Sequence, residues 1–295
     1  MCIRDRAQVV KEAQYLTEQG FRNLLLVAGE HPKFVSNGYL ERCIRALVDE
    51  VPSIALEVAP MEVEDYVPLV HAGAEALVVY QETYDEAAYP ALHTAGPKKD
   101  FAWRLACPER AYAAGFRRIG IGALFGLSEW RREACALAAH VEFLLRRCWK
   151  AQFTVSLPRL RPCAGEFQPV DLLGDREFTQ LICAFRMCFP QVGIVLSTRE
   201  PAGLRDALMP LGVTMMSAGS HTEPGGYTGQ GKESVHLTVR GRVVDAPVDQ
   251  ESKEGTSATE QFSIADERSP AEVAKVLASK GLDAVWKDWD AGILA

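Results

Sequence analysis

The 295-residue sequence has no C-x2-C or C-x3-C pair, no H-x3-H or HExxH run, and no GxGxxG or GxxxxGKS/T loop. Within the chain this excludes zinc-ribbon and iron–sulfur spacings, a zincin-type metal helix, and the usual dinucleotide and P-loop phosphate cradles. The eight cysteines, Cys2, Cys43, Cys107, Cys135, Cys148, Cys163, Cys183 and Cys188, are scattered through helix-like and loop-like stretches, so no disulfide framework is expected. Long apolar runs are missing as well. Nothing approaches the ~20 residues of a membrane-spanning helix, and the N-terminus lacks a signal-peptide core. Positive charge is not in excess: the formal net charge of −7 argues against a general nucleic-acid binder. No Ser-His-Asp order, cysteine nucleophile elbow or carboxylate dyad stands out. A cytoplasmic protein without a nucleic-acid or membrane partner is the default.

What the sequence does have is a rhythm. Short apolar runs recur at 23–29 (NLLLVAG), 54–60 (IALEVAP), 76–83 (ALVVYQET), 118–126 (RIGIGALFG), 153–160 (FTVSLPRL), 193–200 (GIVLSTRE) and 213–220 (VTMMSAGS). Amphipathic segments lie between them. In AQVVKEAQYLTEQG, residues Val9, Val10, Ala13 and Leu16 share a face and Gly20 suits the helix stop. LERCIRALVDEV and DREFTQLICAFRMCF show the same period, and AFRMCFP and CWKAQF read as core-like helical faces. Near-continuous apolar strands separated by helices predict a parallel sheet covered on both faces.

Polar residues gather at the strand C-terminal ends: Glu30, Gln81, Glu82, Arg159, Arg161, Arg199 and Ser217. A (β/α)8 barrel builds its site at that rim, from several strands at once. The expected fold is therefore an α/β barrel of seven predicted strands with the first unit unaccounted for. GIGALFGL has three glycines, but it follows the fourth strand and lacks the acidic partner of a dinucleotide loop. Residues 1–227 read as the incomplete barrel. Residues 228–260, rich in Gly, Ser, Glu and Lys, read as a polar surface insertion with one candidate hairpin, VHLTVRGRVVDAP. Residues 261–295 supply a capped helix and tail that complete the barrel domain.

Each rim residue has two readings. Glu30 ends a buried strand, where an acid holds a ligand, caps a helix or pairs with a cation. Glu57 alternates with Ala55 and Ala59, and if it points inward it needs a partner or a proton. Gln81 and Glu82, in YQETY from Tyr80, end an apolar strand together, which favours a site. Arg159 and Arg161, stiffened by Pro158 and Pro162, suit bidentate capture of a carboxylate or phosphate; the alternative is structural pairing with Glu166 or Glu200. Arg199 and Ser217 end successive strands, a guanidinium fork beside a hydroxyl that suits an amino-acid carboxylate. Three arginines on adjacent strands make a small anionic ligand the expectation. Residue types alone go no further.

At LLLVAGEHPK, VVYQETYDEAAYPALHTAGPKKDFAWRL, RIGIGALFGLSEWR, SLPRLRPCAG, ICAFRMCFPQVGIVLSTRE, EPGGY and EQFSIADERSPAEVAKVLASKGLDAVWKDWD, the chain resembles the 2-iminoacetate synthase family. These are the radical S-adenosylmethionine tyrosine lyases of thiamine thiazole biosynthesis. The likeness runs from about Ala7 to Asp290, broken by 228–260. The related tyrosine lyase of [FeFe]-hydrogenase maturation shares the YQETY-like and barrel motifs but adds a C-terminal iron–sulfur domain, whereas no cysteine follows Cys188 here.

The resemblance implies a radical-SAM-type barrel, a [4Fe-4S] cluster, S-adenosyl-L-methionine, and cleavage of L-tyrosine at Cα–Cβ to 2-iminoacetate and 4-cresol. It also implies a thiazole synthase partner and a flavodoxin- or ferredoxin-type electron donor. Gly29 and Glu30 fall where the family grips the cofactor's amino group. Gly120, Ile121 and Gly122 fall where a strand packs on adenine. Gln81 and Glu82 meet the ribose, with Tyr80 and Glu57 towards the substrate. Arg199 and Ser217 match positions expected to hold the tyrosine carboxylate, and Arg159 or Arg161 the carboxylate of the cofactor. One departure matters: the family's C-x3-C-x2-C loop has no counterpart, MCIRDR stands in its place, and Cys2 is alone. Three thiolates are needed to leave one iron open. The expectation is an N-terminally truncated product that is inactive by itself; the other reading is a cluster-free barrel remnant with a binding or scaffold role.

Overall fold

The computed structural model describes residues 6–29, 35–160, 168–222, 225–229, 237–239, 242–244 and 264–286. Helix α1 (Arg6–Glu18) leads into strand β1 (Asn23–Val27). The chain continues through α2 (Asn37–Leu47), β2 (Ser53–Glu57), α3 (Val63–His71) and β3 (Ala74–Val78). Three short helices follow, α4 (Tyr89–Leu92), α5 (Phe101–Leu105) and α6 (Cys107–Ala114), before β4 (Arg118–Gly122). Then come α7 (Trp130–Arg147), β5 (Gln152–Ser156), α8 (Asp175–Cys188), β6 (Gly193–Leu196), α9 (Ala202–Leu208) and β7 (Met215–Met216). An antiparallel pair, β8 (Leu237–Val239) and β9 (Arg242–Val244), falls on the candidate hairpin, and α10 (Pro270–Ser279) comes last.

The first seven strands form one sheet in chain order, each parallel to its neighbour, with β1 and β7 at its ends. A doubly wound sheet would reverse strand order at a switch point. An unbroken order is the barrel pattern, so the fold is the α/β barrel type expected from the sequence.

Local chemistry explains the elements. In α2, Leu40, Cys43, Ile44 and Leu47 are buried at helical spacing, and Ser36 caps the helix by accepting from the Tyr39 N–H. Phe178, Leu181, Ile182 and Phe185 do the same on α8. Ser269 and Glu272 close a capping box on α10. Gly20, just after α1, has φ +98°, as a helix stop requires. CWKAQF departs from the expectation. It is the turn from α7 into β5 and leaves Trp149 72% exposed, because α7 ends at Arg147.

Strand residues alternate between two faces. Leu24, Ile54, Leu56, Leu77, Ile119, Ile121, Phe153, Val155, Ile194 and Leu196 join the helices in one hydrophobic cluster. Burying each such side chain contributes roughly 1.5–3 kcal/mol before entropy is counted. The alternate positions, Leu25, Val27, Ala55, Glu57, Gly120, Gly122, Thr154, Ser156 and Val195, face the interior of the curved sheet. At its N-terminal floor Ser53, Glu75 and Arg118 bond one another, with Arg118 donating to the Ser53 hydroxyl at 2.7 Å.

The two sheet ends are linked from outside through α1. Its Glu12 carboxylate accepts from the backbone N–H groups of Tyr227 and Thr228, each at 3.2 Å, and from the Thr228 hydroxyl. Phe21, after α1, meets Trp286 edge to face at 5.1 Å. At the β1 end, Leu25 and Val27 remain 43% and 57% exposed.

Candidate active site

Chemically capable side chains collect where the strands run out. Glu57 ends β2, Tyr80 and Glu82 lie just past β3, and Arg199 lies just past β6. These four act on one another electrostatically and form one cluster. Burial pushes the Glu57 carboxyl up to about 7; the Glu82 carboxylate adds to the shift and Arg199 opposes it. Burial, and then Glu57, raise the Tyr80 phenol, while its hydrogen bond with Ser156 on β5 works the other way. Glu82 is raised by burial against the pull of Arg104 and Arg199. Burial lowers Arg199 in spite of the acids around it.

The backbone carrying these groups is held in an uncommon shape. Glu82 has φ +68°, the one positive φ outside glycine among the described residues. A residue with a Cβ adopts that conformation only where its surroundings enforce it. Here the Gln81 N–H donates to the Gly122 carbonyl at 3.1 Å, and the Glu82 carbonyl accepts from the Leu124 N–H at 2.8 Å. Arg104 on α5 donates from Nε to the Tyr80 carbonyl at 2.8 Å and from Nη2 to Glu82 at 3.1 Å. Below them, buried Glu133 on α7 accepts from the hydroxyls of Thr83 and Ser128 and from the N–H groups of Tyr84 and Asp85. Sequence reading missed Arg104 and Glu133. Both lie in helices whose periodicity gives no hint of the loop they serve.

Gln81 is buried, and its side-chain nitrogen reaches the Phe101 carbonyl at 3.4 Å. Its Oε1 has no partner among the described residues. Gly122 gives the Tyr80 ring its place: a Cβ there would lie 2.4 Å from the Ser156 carbonyl oxygen and 2.9 Å from Tyr80 Cδ1. At Gly120 a Cβ would meet Val78 at 3.0 Å and Thr154 at 3.1 Å. Ile121 lies between them with its side chain in the outer core, so it can offer a ligand in the interior only its backbone.

Arg159 is differently placed from the anion-binding role expected for it. It forks onto Glu200 through Nε at 3.0 Å and through Nη2, while Nη1 donates to the Leu173 carbonyl at 2.9 Å and to Asp175 at 2.7 Å. It also lies over the Phe178 ring at 4.7 Å. Four of the five guanidinium N–H groups thus go to protein acceptors, which is the structural alternative. Gly29 sits exposed beyond β1. Ser217 follows β7; its N–H donates to the Leu196 carbonyl at 3.1 Å and its own carbonyl accepts from Arg205. Glu30, Arg161, Glu166, Cys2 and Cys163 lie outside the described residues.

A barrel sheet with its ionisable groups at the C-terminal rim defines an α/β-barrel enzyme, and comparison with known proteins places it among the radical S-adenosylmethionine enzymes. Residues 156–283 match the Biotin and Thiamin Synthesis associated domain. The chain is 40% identical over 287 residues to 2-iminoacetate synthase of Escherichia coli (strain K12), covering 97% of this chain and 70% of that one. The Salmonella typhimurium enzyme of the same name is 38% identical over the same length. The X-ray structure of the FeFe-hydrogenase maturase HydG from Carboxydothermus hydrogenoformans superposes with TM-score 0.80 at 35% identity, covering 95% of this chain and 59% of the maturase. The chain belongs to the 2-iminoacetate synthase family.

The two groups that the family implies fare differently against these residues. Among the described residues no three His, Cys, Asp or Glu side chains are grouped to hold a metal ion. The described cysteines lie on or beside α2, α6, α7 and α8. A cluster held by three thiolates does not fit them. The ribose of a nucleoside does fit, since the orphaned Gln81 Oε1 and the Glu82 carboxyl suit its hydroxyls, whereas the space beside Gly120 and Gly122 is taken by Val78, Thr154 and Tyr80. Among the described residues no helix is long and apolar enough to cross a membrane.

Proposed function

We propose that this barrel binds L-tyrosine and S-adenosyl-L-methionine and serves the Cα–Cβ cleavage that yields 2-iminoacetate and 4-cresol for thiazole synthesis. The rim cluster carries this reading: two carboxyls, a phenol and a guanidinium packed together match a zwitterionic amino acid better than a simple anion. S-adenosylmethionine, given one electron from an iron–sulfur cluster for which the described residues offer no grouped thiolates, would supply the radical chemistry, and this chain's residues would hold and orient the two ligands. Arg199 and Ser217 hold the tyrosine carboxylate. Glu57, with its carboxyl pushed up to about 7, faces the amino group and exchanges a proton with it near neutral pH. Tyr80 walls the substrate side. Gln81 and Glu82 take the ribose hydroxyls, with Glu82 aimed by Arg104. Gly29 and Glu30 serve the cofactor's amino group. With Arg159 committed to Glu200 and Asp175, Arg161 is the better candidate for the cofactor's carboxylate.

On this reading the protein works in the cytoplasm, beside a thiazole synthase and a flavodoxin- or ferredoxin-type reductant. Residues 1–227 and 261–295 make one barrel domain, and 228–260 is an excursion from it. With no C-x3-C-x2-C among its 295 residues, the chain alone is expected to form no 4-cresol after anaerobic reconstitution. The likeness to the maturase supports a second reading, tyrosine cleavage for hydrogenase maturation, which uses the same rim. Replacing Arg199 by Lys tests the site in both. Tyrosine binding should weaken about tenfold or more, because a bidentate charged contact is lost, while cofactor binding changes little. Equal losses in the two, measured by equilibrium dialysis, refute the assignment.

A further inference from the structure

We propose that the buried pair Arg205–Asp266, steadied by Arg268, is a positioning device that sets Arg199 and Ser217 at the spacing a substrate carboxylate requires. The inference rests on the reading of Arg199 and Ser217 as the carboxylate cradle. Arg205, on α9, is fully buried. One end of its guanidinium meets Asp266 and the other donates to the carbonyl of Ser217 itself. Asp266 belongs to the segment that follows residues 228–260, and that segment is tied to the strand ends by backbone bonds. The N–H groups of Ala265 and Asp266 donate to the Thr198 carbonyl at 2.9 and 3.2 Å, and the Gly219 N–H donates to the Arg268 carbonyl at 3.0 Å. Arg268 then grips Asp266 from the solvent side, with Nε at 2.8 Å and Nη2 at 2.7 Å, and reaches Asp206 at 2.8 Å.

These contacts bracket the cradle. Thr198, held by the Asp266 segment, immediately precedes Arg199, and Glu200, forked by Arg159, immediately follows it. Ser217 is held through its carbonyl by the same Arg205 that holds Asp266. One buried guanidinium is therefore tied to both halves of the cradle.

Stability alone is a weak reason for such an arrangement. Two buried charges lose their hydration, and well-packed apolar side chains in their place are often as stable or more so. Arg205 even leaves its Nε without a partner among the described residues. What an ion pair with fixed bond directions adds, and an apolar contact does not, is one defined spacing between two strand ends. The Asp266 carboxyl is disfavoured by burial, but bonds from Arg268 and Arg205 outweigh that and hold it down at about 2. The device is therefore charged at any working pH.

The test is the split between tyrosine and cofactor affinity. In Asp266→Asn the side chain keeps its shape and loses its charge. L-tyrosine binding to the folded protein should weaken about tenfold, with S-adenosylmethionine binding within about twofold of the unaltered chain. A purely structural pair would lower the melting temperature and leave both affinities alone, and that result overturns the proposal. Should Asp266→Asn fail to fold, Arg268→Gln, on the solvent side, removes two donors from Asp266 and keeps Arg205; about a threefold loss for tyrosine only is expected, and no loss overturns the proposal. Arg199→Lys is measured alongside. If it weakens tyrosine binding and the two positioning variants do not, this inference alone fails. If Arg199→Lys has no effect, or the unaltered chain shows no saturable tyrosine binding, the cradle reading fails and takes this one with it.

Discussion

The two ends of the barrel interior use nearly the same side chains for opposite ends. At the floor, Ser53, Glu75 and Arg118 bond one another in a triangle, one acid to one guanidinium with a hydroxyl between. At the mouth, Glu57 and Glu82 share the space with Tyr80 and Arg199, and the Glu57 carboxyl rises to about 7. Burial acts at both ends. At the floor the acid and the guanidinium bond each other; at the mouth Arg104 reaches Glu82 at 3.1 Å, while Glu57 is pushed towards neutrality by burial and by Glu82, with Arg199 opposing. An acid left half-compensated at the rim is where a ligand's own charge would complete the set.

The comparison can be broken at three places. Replacing Arg118 by Met should cost about 4 kcal/mol in urea unfolding, since it leaves Glu75 with an uncompensated charge. The folded variant should keep its ligand affinities. A loss of tyrosine affinity as large as that of Arg199→Lys would mean that the floor belongs to the site.

Replacing Glu57 by Gln should act the other way. Folded Glu57 keeps its proton up to about 7, against 4.5 when unfolded, so between these values the folded state binds more protons. Its contribution to stability is therefore fully present below pH 4.5 and is lost as pH rises through 7. The Gln variant should show no such decline and should be the more stable by about 3 kcal/mol at pH 8. Parallel pH profiles for the two proteins would show that Glu57 is ionised throughout.

The smallest effect separates two glycines on one strand. Gly122→Ala drives a methyl into the Ser156 carbonyl and the Tyr80 ring, at a cost of about 2 kcal/mol and a displaced Tyr80. Gly120→Ala, with its nearest contacts at 3.0 and 3.1 Å to side chains, should cost about 1 kcal/mol. Equal melting temperatures would show that Tyr80 is not held by Gly122.

Much of the barrel was legible because burial imposes a period. The seven apolar runs and the faces of α1, α2, α8 and α10 declare themselves as alternation or as i, i+3, i+4, i+7 spacing. The strand ends were less legible. The run 213–220 shrinks to Met215–Met216, because rim residues leave the ladder wherever their side chains or carbonyls are engaged elsewhere. Within the site, Glu57, Tyr80, Glu82 and Arg199 could be singled out as polar groups closing apolar strands, and the structure brings them together. Arg159 shows the limit. A guanidinium after a strand reads the same whether it faces a ligand or an acid, and only the fold brings Glu200 and Asp175 to it. Arg205 and Asp266 were invisible for a related reason: the two are 61 residues apart, and no local pattern links them.

The bond between Glu12 and the turn at Tyr227 spans 215 residues of sequence. At ordinary rates of protein synthesis the first partner waits about 10 to 40 seconds for the second to be made. Through that interval Glu12 on α1 lacks its partners at Tyr227 and Thr228. The clasp that joins the two ends of this sheet is a late contact in synthesis. A growing chain therefore has to guard α1 until the Tyr227 turn has emerged.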